Sequence, residues 1–473
     1  MNAPIVRLFG LVIVLFALLV AFTSRWTVFE AQALRDQSAN QARQALAEQR
    51  IRRGRIRAAD GQALAASRRL PGERYERRYP TGPLFAHPVG YSFITQGRSG
   101  LERTYNDELV GRSNELVGVV DSLLGERAVG DDIQTTLSVR AQQVAMEALQ
   151  GRSGAVVAMD VRTGAVRVMA STPSYDPDAI DEAGTSDLNR ASGSPLINRA
   201  TQGLYPPGST FKVVTAAAAL DSGDYTAGSI VDGRNGKPIS GVPLQNFGGR
   251  DWGRIDLRTA LTNSVNTVWA EVGVELGRET MADYMERFGF YEDPPLDYPD
   301  EQMLPSGVRK GDSRRLVSPE SSRVDLGRMA IGQGDLQASA LQMATVAQTI
   351  GNRGARLRPY LVEKVIDPDG RTVSETEPDE VEQVISDDAA AELTAMMRDV
   401  VSEGTGTAAA LSGVEVAGKT GTAELNATDL NQPWFIGFTP EVAVAVTVER
   451  QQGGTGGTIA APIAKRVLET LGQ

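Results

Sequence analysis

Two pairs of alternating apolar segments lie near opposite ends of the larger part of this chain. The first pair is GAVVAMDVRTGAVRVMAS (154–171), and the second is WFIGFTP (434–440) with EVAVAVTVER (441–450). Alternation with a period of two is typical of β-strands, so both pairs predict antiparallel hairpins. Because the chain between them is largely helical in pattern, we predict an α+β fold whose first and last strands meet in one antiparallel sheet.

Other segments predict how the remaining chain is organised. Asp60-Gly61 lies between short alternating pieces, which indicates a β-hairpin in a small β-containing domain. DDIQTTLSVRAQQVAMEAL (131–149) predicts a strand and a capped helix, and IAAPIAKRVLETLG closes the chain with an amphipathic helix. QQGGTGG (451–457) is interpreted as a loop. We predict a small domain over residues 51–135 and a larger one over 136–473.

The N-terminal segment LFGLVIVLFALLVAFTS (8–24) is uncharged and lies between Arg7 and Arg25. The nearest A-x-A pattern, at 31–33, follows charged residues, so we predict an uncleaved anchor rather than a signal peptide. The positive flank favours a cytoplasmic N-terminus and places the chain after the anchor outside. The predicted segments are a cytoplasmic tail and transmembrane anchor, residues 1–25, and a juxtamembrane helix or solvated linker, residues 26–50.

Scarce residue types limit the chemistry of the chain. It has no cysteine, which excludes disulfides, thiol nucleophiles and thiolate metal sites. Its single histidine, His87, is interpreted as a surface or packing residue, and a Ser-His-Asp triad would have to use it. Only six of the 48 basic residues are lysine, so each lysine is informative. A hydrolytic or acyl-transfer site would draw its base from Lys, Glu, Asp or Tyr.

Arginine is concentrated in residues 43–78, which hold eleven arginines and four acidic residues. Such a segment can bind nucleic acid or anionic lipid. Outside the membrane, nucleic acid is not an expected partner. The segment is interpreted either as a contact surface for a protein partner or acidic envelope components, or as a solvated face.

YPPGSTFKVVTAAAAL (205–220) places a serine and a lysine at the start of a helix. The two prolines and the glycine disfavour helix, so we predict that it begins near Ser209, with Lys212 on the same face. A helix N-terminus stabilises a developing oxyanion, and burial by the apolar run would lower the pKa of the lysine amine. Ser209 is therefore a candidate nucleophile with Lys212 as its base. The alternative is an N-cap serine beside a surface cation.

Two further segments carry groups suited to this chemistry. LTNSVNTVWAEVG holds Ser264 and Asn266 in a helical context, within one turn of each other. VAGKTGTAE (416–424) predicts an extended strand on which Lys419 points away from the two threonines that follow it. The glycine between those threonines, Gly421, is expected to let a substrate backbone approach closely.

In this order and spacing, the S-x-x-K, S-x-N and K-T-G motifs resemble the signature of penicillin-binding proteins and serine β-lactamases. RGRIRAADGQALA and GRSGLERTYNDELVG resemble the N-terminal region of class B penicillin-binding proteins, and RRYPTGPLFAHPVGYS resembles their actinobacterial penicillin-binding protein A group. The resemblance covers nearly the whole chain. It implies a penicillin-binding, β-lactamase-like transpeptidase domain of α+β class, preceded by a pedestal domain of dimerisation type.

The resemblance also implies roles for the matching positions. Ser209 would be acylated and Lys212 would be its base. Ser264 and Asn266 would relay protons and hold the substrate amide. Lys419 would keep Lys212 neutral and, with the strand after it, would bind a terminal carboxylate. The implied carboxylate and oxyanion contacts are Thr420, Gly421 and Thr422, with the backbone N–H groups of Ser209 and Thr422 forming the oxyanion hole.

The implied activity is cross-linking of peptidoglycan stem peptides that end in D-Ala-D-Ala, through a serine acyl-enzyme that β-lactams also form. No metal or cofactor is implied. The alternatives are a D,D-carboxypeptidase, which uses water as acceptor, and a catalytically silent β-lactam-binding scaffold or sensor. A β-lactamase is disfavoured because no E-x-x-L-N follows Asn266. The short front domain leaves no room for a glycosyltransferase, so the polymerase would be a separate partner at the bacterial cell membrane.

Overall fold

A computed structural model of the protein describes residues 3–25, 49–93, 96–111, 129–149, 151–180, 185–311, 315–425 and 430–472. The predicted juxtamembrane segment of residues 26–50 lies outside the described residues apart from Gln49 and Arg50. The larger predicted domain is described almost throughout.

The helices are numbered in chain order, and α9 is interrupted at Gly277, where φ is 84°. Their bounds are α1 Ala3–Ser24, α2 Ala86–Val89, α3 Gly100–Thr104, α4 Asn106–Leu109, α5 Val139–Leu149, α6 Ser186–Arg190, α7 Lys212–Asp221, α8 Leu257–Thr262, α9 Asn266–Arg287, α10 Leu326–Ala330, α11 Ala340–Gly351, α12 Asp387–Ser402 and α13 Ala461–Leu471.

The strands are numbered in the same way. Their bounds are β1 Ile56–Arg57, β2 Ala63–Leu70, β3 Arg74–Arg78, β4 Ser92–Phe93, β5 Gly97–Arg98, β6 Asp132–Thr135, β7 Gly154–Asp160, β8 Val166–Thr172, β9 Ile230–Asp232, β10 Lys237–Ile239, β11 Val242–Leu244, β12 Arg254–Asp256, β13 Gly307–Val308, β14 Leu336–Gln337, β15 Ala355–Leu357, β16 Val362–Ile366, β17 Thr372–Glu375, β18 Glu380–Gln383, β19 Ala417–Glu424, β20 Leu430–Phe438, β21 Val442–Val448 and β22 Gln451–Gln452.

The central sheet confirms the predicted meeting of the first and last strands. Its order is β19-β20-β21-β7-β8, and β21 pairs antiparallel with β7 along its whole length. Successive residues of β7 enter different cores: Ala155 and Val157 pack in one, whereas Val156 and Ala158 pack in the other. Both faces of the sheet are thus covered, as the unbroken burial of β21 requires.

Helices cover the two faces of this sheet. Helices α5 and α13 pack on one face, with Ala145 and Ala464 in the core that contains Val156. Helices α7 and α11 are buried on the other side, and every residue from Lys212 to Leu220 is buried. A helix that is apolar all round has no solvent face. Lys212 is therefore held in the interior.

The pedestal region builds a second sheet in the order β17-β16-β6-β1-β2-β3. The predicted hairpin at Asp60-Gly61 is confirmed, because β1 pairs antiparallel with β2 around that turn. Strand β16 joins this sheet beside β6, although it belongs to the predicted larger domain. The two parts of the chain therefore share a sheet.

Some arginines of the arginine-rich segment are buried rather than solvated or on a contact surface. The Arg53 and Arg77 side chains bind opposite oxygens of the buried Glu102 carboxylate, at 2.6 and 2.5 Å. Charges buried in this way are stable only when they are paired, which is why these three side chains occur together. The expected contact surface or solvated face can use only the remaining arginines of this segment.

The structure decides between the two interpretations of His87 and corrects one loop prediction. His87 is buried, with its ring edge-to-face on Tyr175 and its Nε2 3.4 Å from the Pro173 carbonyl oxygen, so it is a packing residue and not a surface one. Burial lowers the pKa of its imidazole to about 4. The predicted loop at 451–457 begins with β22, which pairs with β20, and its last residues enter a π-helical turn, Gly456–Ala460.

Helix α1 is 22 residues long, has a mean hydropathy of 2.9 and is not covered by any other described part of the chain. It is long and apolar enough to cross a membrane.

Candidate active site

The segment before Lys212 forms a tight turn that presents Ser209. Residues Gly208–Phe211 form a 3-10 turn that runs directly into α7, so helical structure begins within one residue of the predicted start. Gly208 has φ of 55°, a conformation that favours glycine. A Cβ at this position would also lie 3.0 Å from the backbone nitrogen of Ala423. The glycine therefore brings the turn against β19.

Ser209 is half-buried, whereas the Lys212 amine behind it is fully buried. Lys212 Nζ donates to the Ser264 carbonyl oxygen at 2.8 Å and to Asn266 Oδ1 at 2.7 Å, and it lies 3.2 Å from Ser264 Oγ. Among the described residues, the Ser209 hydroxyl forms no hydrogen bond. The predicted neighbours thus share a turn, but the lysine amine is held by the Ser264 and Asn266 groups.

The prediction that Ser264 lies in a helical context was wrong. Helix α8 ends at Thr262 and α9 begins at Asn266, so Ser264 occupies the turn between them with φ of 57°. Positive φ is costly for a residue with a side chain and occurs mainly where the surroundings hold it in place. Here the turn directs both the carbonyl and the hydroxyl of Ser264 toward Lys212.

Lys419 approaches the same hydroxyl from strand β19. Its Nζ donates to Ser264 Oγ at 2.9 Å and to the Thr420 carbonyl oxygen at 2.9 Å, and its side chain is fully buried. Burial lowers the pKa of the Lys419 amine to about 7. Burial, and after it the charge of Lys419, holds the pKa of Lys212 well below its ordinary value. Burial thus favours the neutral form of both amines, and the Lys419 charge favours it further for Lys212.

The arrangement forms a chain of polar groups suited to proton transfer. A neutral amine has two N–H donors and one lone pair. Lys212 can give its two hydrogens to the Ser264 carbonyl and to Asn266, which leaves the lone pair for a hydroxyl proton. Lys419 donates to the opposite side of the Ser264 hydroxyl. The lone pair of Lys212 can thus accept a proton from a hydroxyl that approaches it.

Strand β19 is an edge strand beside the Ser209 turn, and it carries the predicted Thr-Gly-Thr triplet. The Thr420 hydroxyl is 2.6 Å from the Thr405 hydroxyl, and Thr422 Oγ1 accepts a hydrogen bond from the Gly456 N–H at 3.1 Å. Thr422 lies opposite Pro433, which has no N–H to give to the ladder. Strand β19 therefore contributes the Thr420 and Thr422 hydroxyl groups to the site, and its outer side is not paired with another strand.

Gly421 is approached closely by another part of the chain. A Cβ on Gly421 would lie 2.7 Å from the Pro207 carbonyl oxygen and 3.0 Å from Thr210 Cγ2. Those atoms belong to the Ser209 turn. Packing within the chain is therefore sufficient to require glycine at this position, and the approach of a substrate backbone stays a prediction.

Several supporting residues were not predicted. The Gly332 carbonyl accepts from the Gly208 N–H at 2.8 Å, and Trp434 Nε1 donates to the Pro206 carbonyl at 3.0 Å. The Gln245 carbonyl accepts from Asn266 Nδ2 at 3.0 Å. These contacts join segments that are distant in sequence, and only the match of whole segments to the family signalled them. They fix both the Ser209 turn and the amide that holds Lys212.

A serine-histidine site and a metal site receive no support from the described residues. His87 contacts Pro173 and Tyr175, and no histidine contact to Ser209 is present among the described residues. Across all the ranges that the structure describes, no three His, Asp or Glu side chains form a group that could hold a metal ion. The lysine-serine cluster is thus the candidate acid-base system.

Comparisons with known proteins agree with this geometry. Residues 154–469 match the penicillin binding protein transpeptidase domain, and residues 53–133 match the penicillin binding protein A dimerisation domain. The first match contains all the site residues described above.

Relatives resemble the chain over its full length. Peptidoglycan D,D-transpeptidase PbpA of Mycolicibacterium smegmatis is 36% identical, over 99% of this chain and 98% of the relative. The protein of the same name from Mycobacterium tuberculosis is 34% identical, over 100% and 99%. The penicillin G acyl-enzyme complex of penicillin-binding protein A from M. tuberculosis superposes with a TM-score of 0.79 at 33% identity, over 89% of this chain and 100% of that one. The chain belongs to the class B penicillin-binding proteins and is a serine-type peptidoglycan D,D-transpeptidase similar to the penicillin-binding protein A group.

Proposed function

We propose that Ser209 is the nucleophile with which the protein cross-links peptidoglycan stem peptides ending in D-Ala-D-Ala. The observation that carries the proposal is the pair of buried lysine amines, Lys212 and Lys419, which contact one hydroxyl, Ser264 Oγ, at 3.2 and 2.9 Å behind a half-buried serine. A serine becomes nucleophilic only when a nearby base takes its proton. Burial of Lys212 supplies that base without a histidine.

In the acylation step, Ser209 Oγ forms a bond to the carbonyl carbon of the penultimate D-Ala. The hydroxyl proton passes to the neutral Lys212 amine. The bond to the nitrogen of the last D-Ala breaks, and that nitrogen takes the proton from Lys212, directly or through Ser264. The leaving D-Ala then departs with its carboxylate, and an ester on Ser209 remains. Asn266 holds Lys212 through its Oδ1. In this proposal Asn266 also holds the substrate amide.

In the transfer step, an amine of a second stem peptide forms a bond to the same carbonyl carbon. The ester bond to Ser209 Oγ breaks, the serine regains a proton from the attacking amine through Lys212, and a peptide cross-link results. β-Lactams acylate Ser209 by the same first step. Water in place of the amine would make the protein a carboxypeptidase.

Lys419 and the strand after it form the proposed carboxylate site. Charged Lys419, with the Thr420 and Thr422 hydroxyls, binds the terminal carboxylate of the donor peptide. The backbone N–H groups of Ser209 and Thr422 form the oxyanion hole, since β19 is an edge strand and its partner at Thr422 is a proline. Gly421 contributes by admitting the Ser209 turn.

We also propose that helix Ala3–Ser24 anchors the protein in the cell membrane, with the N-terminus inside and the pedestal domain (51–135) and transpeptidase domain (136–473) outside. The hydropathy of the helix and Arg7 on its N-terminal side support this orientation. A separate glycosyltransferase would supply the glycan strands that the protein cross-links.

Mass spectrometry of the products tests the activity. The full-length protein in detergent is incubated with a peptidoglycan substrate that carries both donor and acceptor stem peptides. We expect cross-linked dimers and released D-Ala, and neither product from Ser209→Ala. Trimmed monomers without dimers would show that water is the acceptor and would contradict cross-linking. The matched control is Ser222→Ala, which removes an equivalent hydroxyl at the far end of α7.

A further inference from the structure

We propose that the pedestal region carries a phosphate-binding cavity walled by arginines, which is separate from the serine-lysine site. The cavity has a volume of about 370 Å³. That size is suitable for a small ligand. Its wall consists of Arg52, Arg53, Arg55, Ala66, Ser67, Arg69, Tyr75 and Asp132.

The register of the pedestal sheet places these side chains together. Ser67 pairs with Arg77 and Arg69 pairs with Tyr75 across the β2–β3 hairpin, so all four side chains point to one face. The Arg55 backbone N–H donates to Asp132 Oδ1 at 2.6 Å, which brings the two residues to the same end of the cavity. The cavity is therefore a product of strand pairing.

The cavity has an excess of positive charge. Glu102 is shared by Arg53 and Arg77, and Asp132 is shared by two further arginines. The wall itself holds four arginines and one carboxylate, that of Asp132, a charge of 4 − 1 = +3. Among the described residues, Arg52 and Arg69 have no carboxylate partner.

A buried donor lies next to the cavity wall. Arg77 is 9% exposed, its Nη1 donates to the Gly54 carbonyl at 2.6 Å, and it lies 3.5 Å from Ser67 Oγ. Its Nη2 is buried and has no hydrogen-bond partner among the described residues. Buried polar groups without a partner are rare in folded proteins. Arg77 does not line the cavity, and its guanidinium adds positive charge behind the wall.

The chemistry of the wall favours phosphate. Guanidinium groups bind phosphate oxygens through paired N–H donors, and a phosphate presents several oxygens to several arginines at once. The Tyr75 phenol adds a hydroxyl donor at the wall. An anion in the cavity would also offset the mutual repulsion of the guanidinium groups.

The phosphate can be carried by a lipid headgroup or can be free. Arg52 lies in the first described segment after helix α1, which is apolar enough to cross a membrane. Both sources present phosphate oxygens to the cavity, and their relative affinities distinguish them.

Isothermal titration of the full-length protein in a neutral maltoside detergent at 0.15 M salt tests the proposal. The probes are inorganic phosphate, pyrophosphate, succinate, and the soluble lipids dihexanoyl-phosphatidylglycerol and dihexanoyl-phosphatidylcholine. The test variant is Arg52→Gln/Arg69→Gln. The matched control is Arg68→Gln/Arg74→Gln, which removes the same number of arginines from the pedestal, at hairpin positions outside the cavity wall.

We expect saturable binding of a phosphate probe to the wild type and the control, and at least tenfold weaker binding to the test variant. Tighter binding of phosphatidylglycerol than of inorganic phosphate assigns the site to lipid, and the reverse order assigns it to free phosphate. Fluorescent-penicillin labelling should be equal in all three proteins. No saturable phosphate binding, equal weakening in both variants, or succinate binding as tightly as the phosphate probes would each overturn the proposal.

Discussion

Lys212 and Lys419 both contact the Ser264 hydroxyl, and the proposed mechanism gives them different tasks, which follow from their charges. Lys212 must be neutral to accept a proton, and Lys419 must be charged to attract a carboxylate. Desolvation lowers the pKa of both amines, and the charge of Lys419 lowers that of Lys212 further. This difference is the general way in which two like groups divide acid and base roles.

Removal of the Lys419 charge should move the acidic limb of the acylation rate to higher pH. In Lys419→Ala, the Lys212 amine loses a like charge, so its pKa rises and the neutral form requires a higher pH. The measurement is the second-order rate of acylation by a β-lactam between pH 5 and 9. Lys364→Ala, a change at a surface ion pair, is the control. An acidic limb that stays in place would mean that burial alone keeps Lys212 neutral.

The wild-type profile should also have a basic limb. Acylation increases as pH rises through the lowered pKa of Lys212, and kcat/KM for a carboxylate substrate decreases above about pH 7, where Lys419 loses its charge in the free enzyme. A substrate amide of the same length without the carboxylate serves as the comparison, because its profile should lack the basic limb. A basic limb of equal size for both substrates would contradict the carboxylate role of Lys419.

At this scale the sequence predicted which groups the structure brings together but not their geometry. Ser209, Lys212 and Lys419 were predictable because lysine is scarce and the motifs are short. The turn at Ser264, with its positive φ, was not predictable, since the flanking residues are helix-compatible and only packing of α8 and α9 determines the break. The contact between Thr405 and Thr420 had no sequence signal.

At the scale of elements, the site depends on how closely the Ser209 turn packs against β19. Gly208 on the turn and Gly421 on the strand each lack the Cβ that would separate them. The Trp434 indole and the Gly332 carbonyl hold the turn from two further sides. Small displacements of catalytic groups have large kinetic costs, so this packing bears directly on the rate.

Gly421→Ala should therefore impair acylation while the protein remains folded. The new Cβ would lie 2.7 Å from the Pro207 carbonyl oxygen and would push the Ser209 turn away from the strand. We expect a loss of roughly 10- to 100-fold in the acylation rate. Gly228→Ala is the control, because a Cβ there meets its nearest atom at 3.9 Å. An unchanged rate in Gly421→Ala would show that the turn can relax without cost.

The elements were largely predictable and their contacts were not. Alternation of small apolar residues predicted β7, β8, β20 and β21, and the apolar run predicted the buried helix α7. The contact of Gly421 with the Ser209 turn was not predicted, because a sequence indicates that a close approach occurs but not which atoms make it.

At the scale of the whole molecule, one sheet joins the pedestal to the transpeptidase domain. Strand β16 lies beside β6, although more than two hundred residues separate them. Pairing between such distant segments has no local signal, which explains why the sequence predicted two separate units. The Tyr105 hydroxyl also donates to Asp297 at 3.0 Å, and the same carboxylate accepts from the Leu361 and Val362 N–H groups. The pedestal and the larger domain are therefore joined by a hydrogen-bonded sheet and by the contacts of Asp297.

Stability of the pedestal should depend strongly on Glu102. In Glu102→Gln, two buried guanidinium groups lose their shared counter-charge, which should cost about 3 kcal/mol in the local free energy of opening. Hydrogen exchange of the β1–β3 amides in the full-length protein measures that quantity. The matched control is Glu76→Gln, whose pairs with Arg68 and Arg78 are exposed and worth less than about 1 kcal/mol. Equal effects of the two substitutions would contradict the importance of the buried cluster.

The covalent adduct itself tests the central claim most directly. The full-length protein is treated with penicillin G, and its intact mass and tryptic peptides are measured. We predict one adduct per chain, on Ser209 in the peptide of residues 200–212, with no adduct on Ser209→Ala and an unchanged adduct on Ser222→Ala. A stoichiometric adduct on another residue, or labelling of folded Ser209→Ala to the same extent as the wild type, would contradict the account.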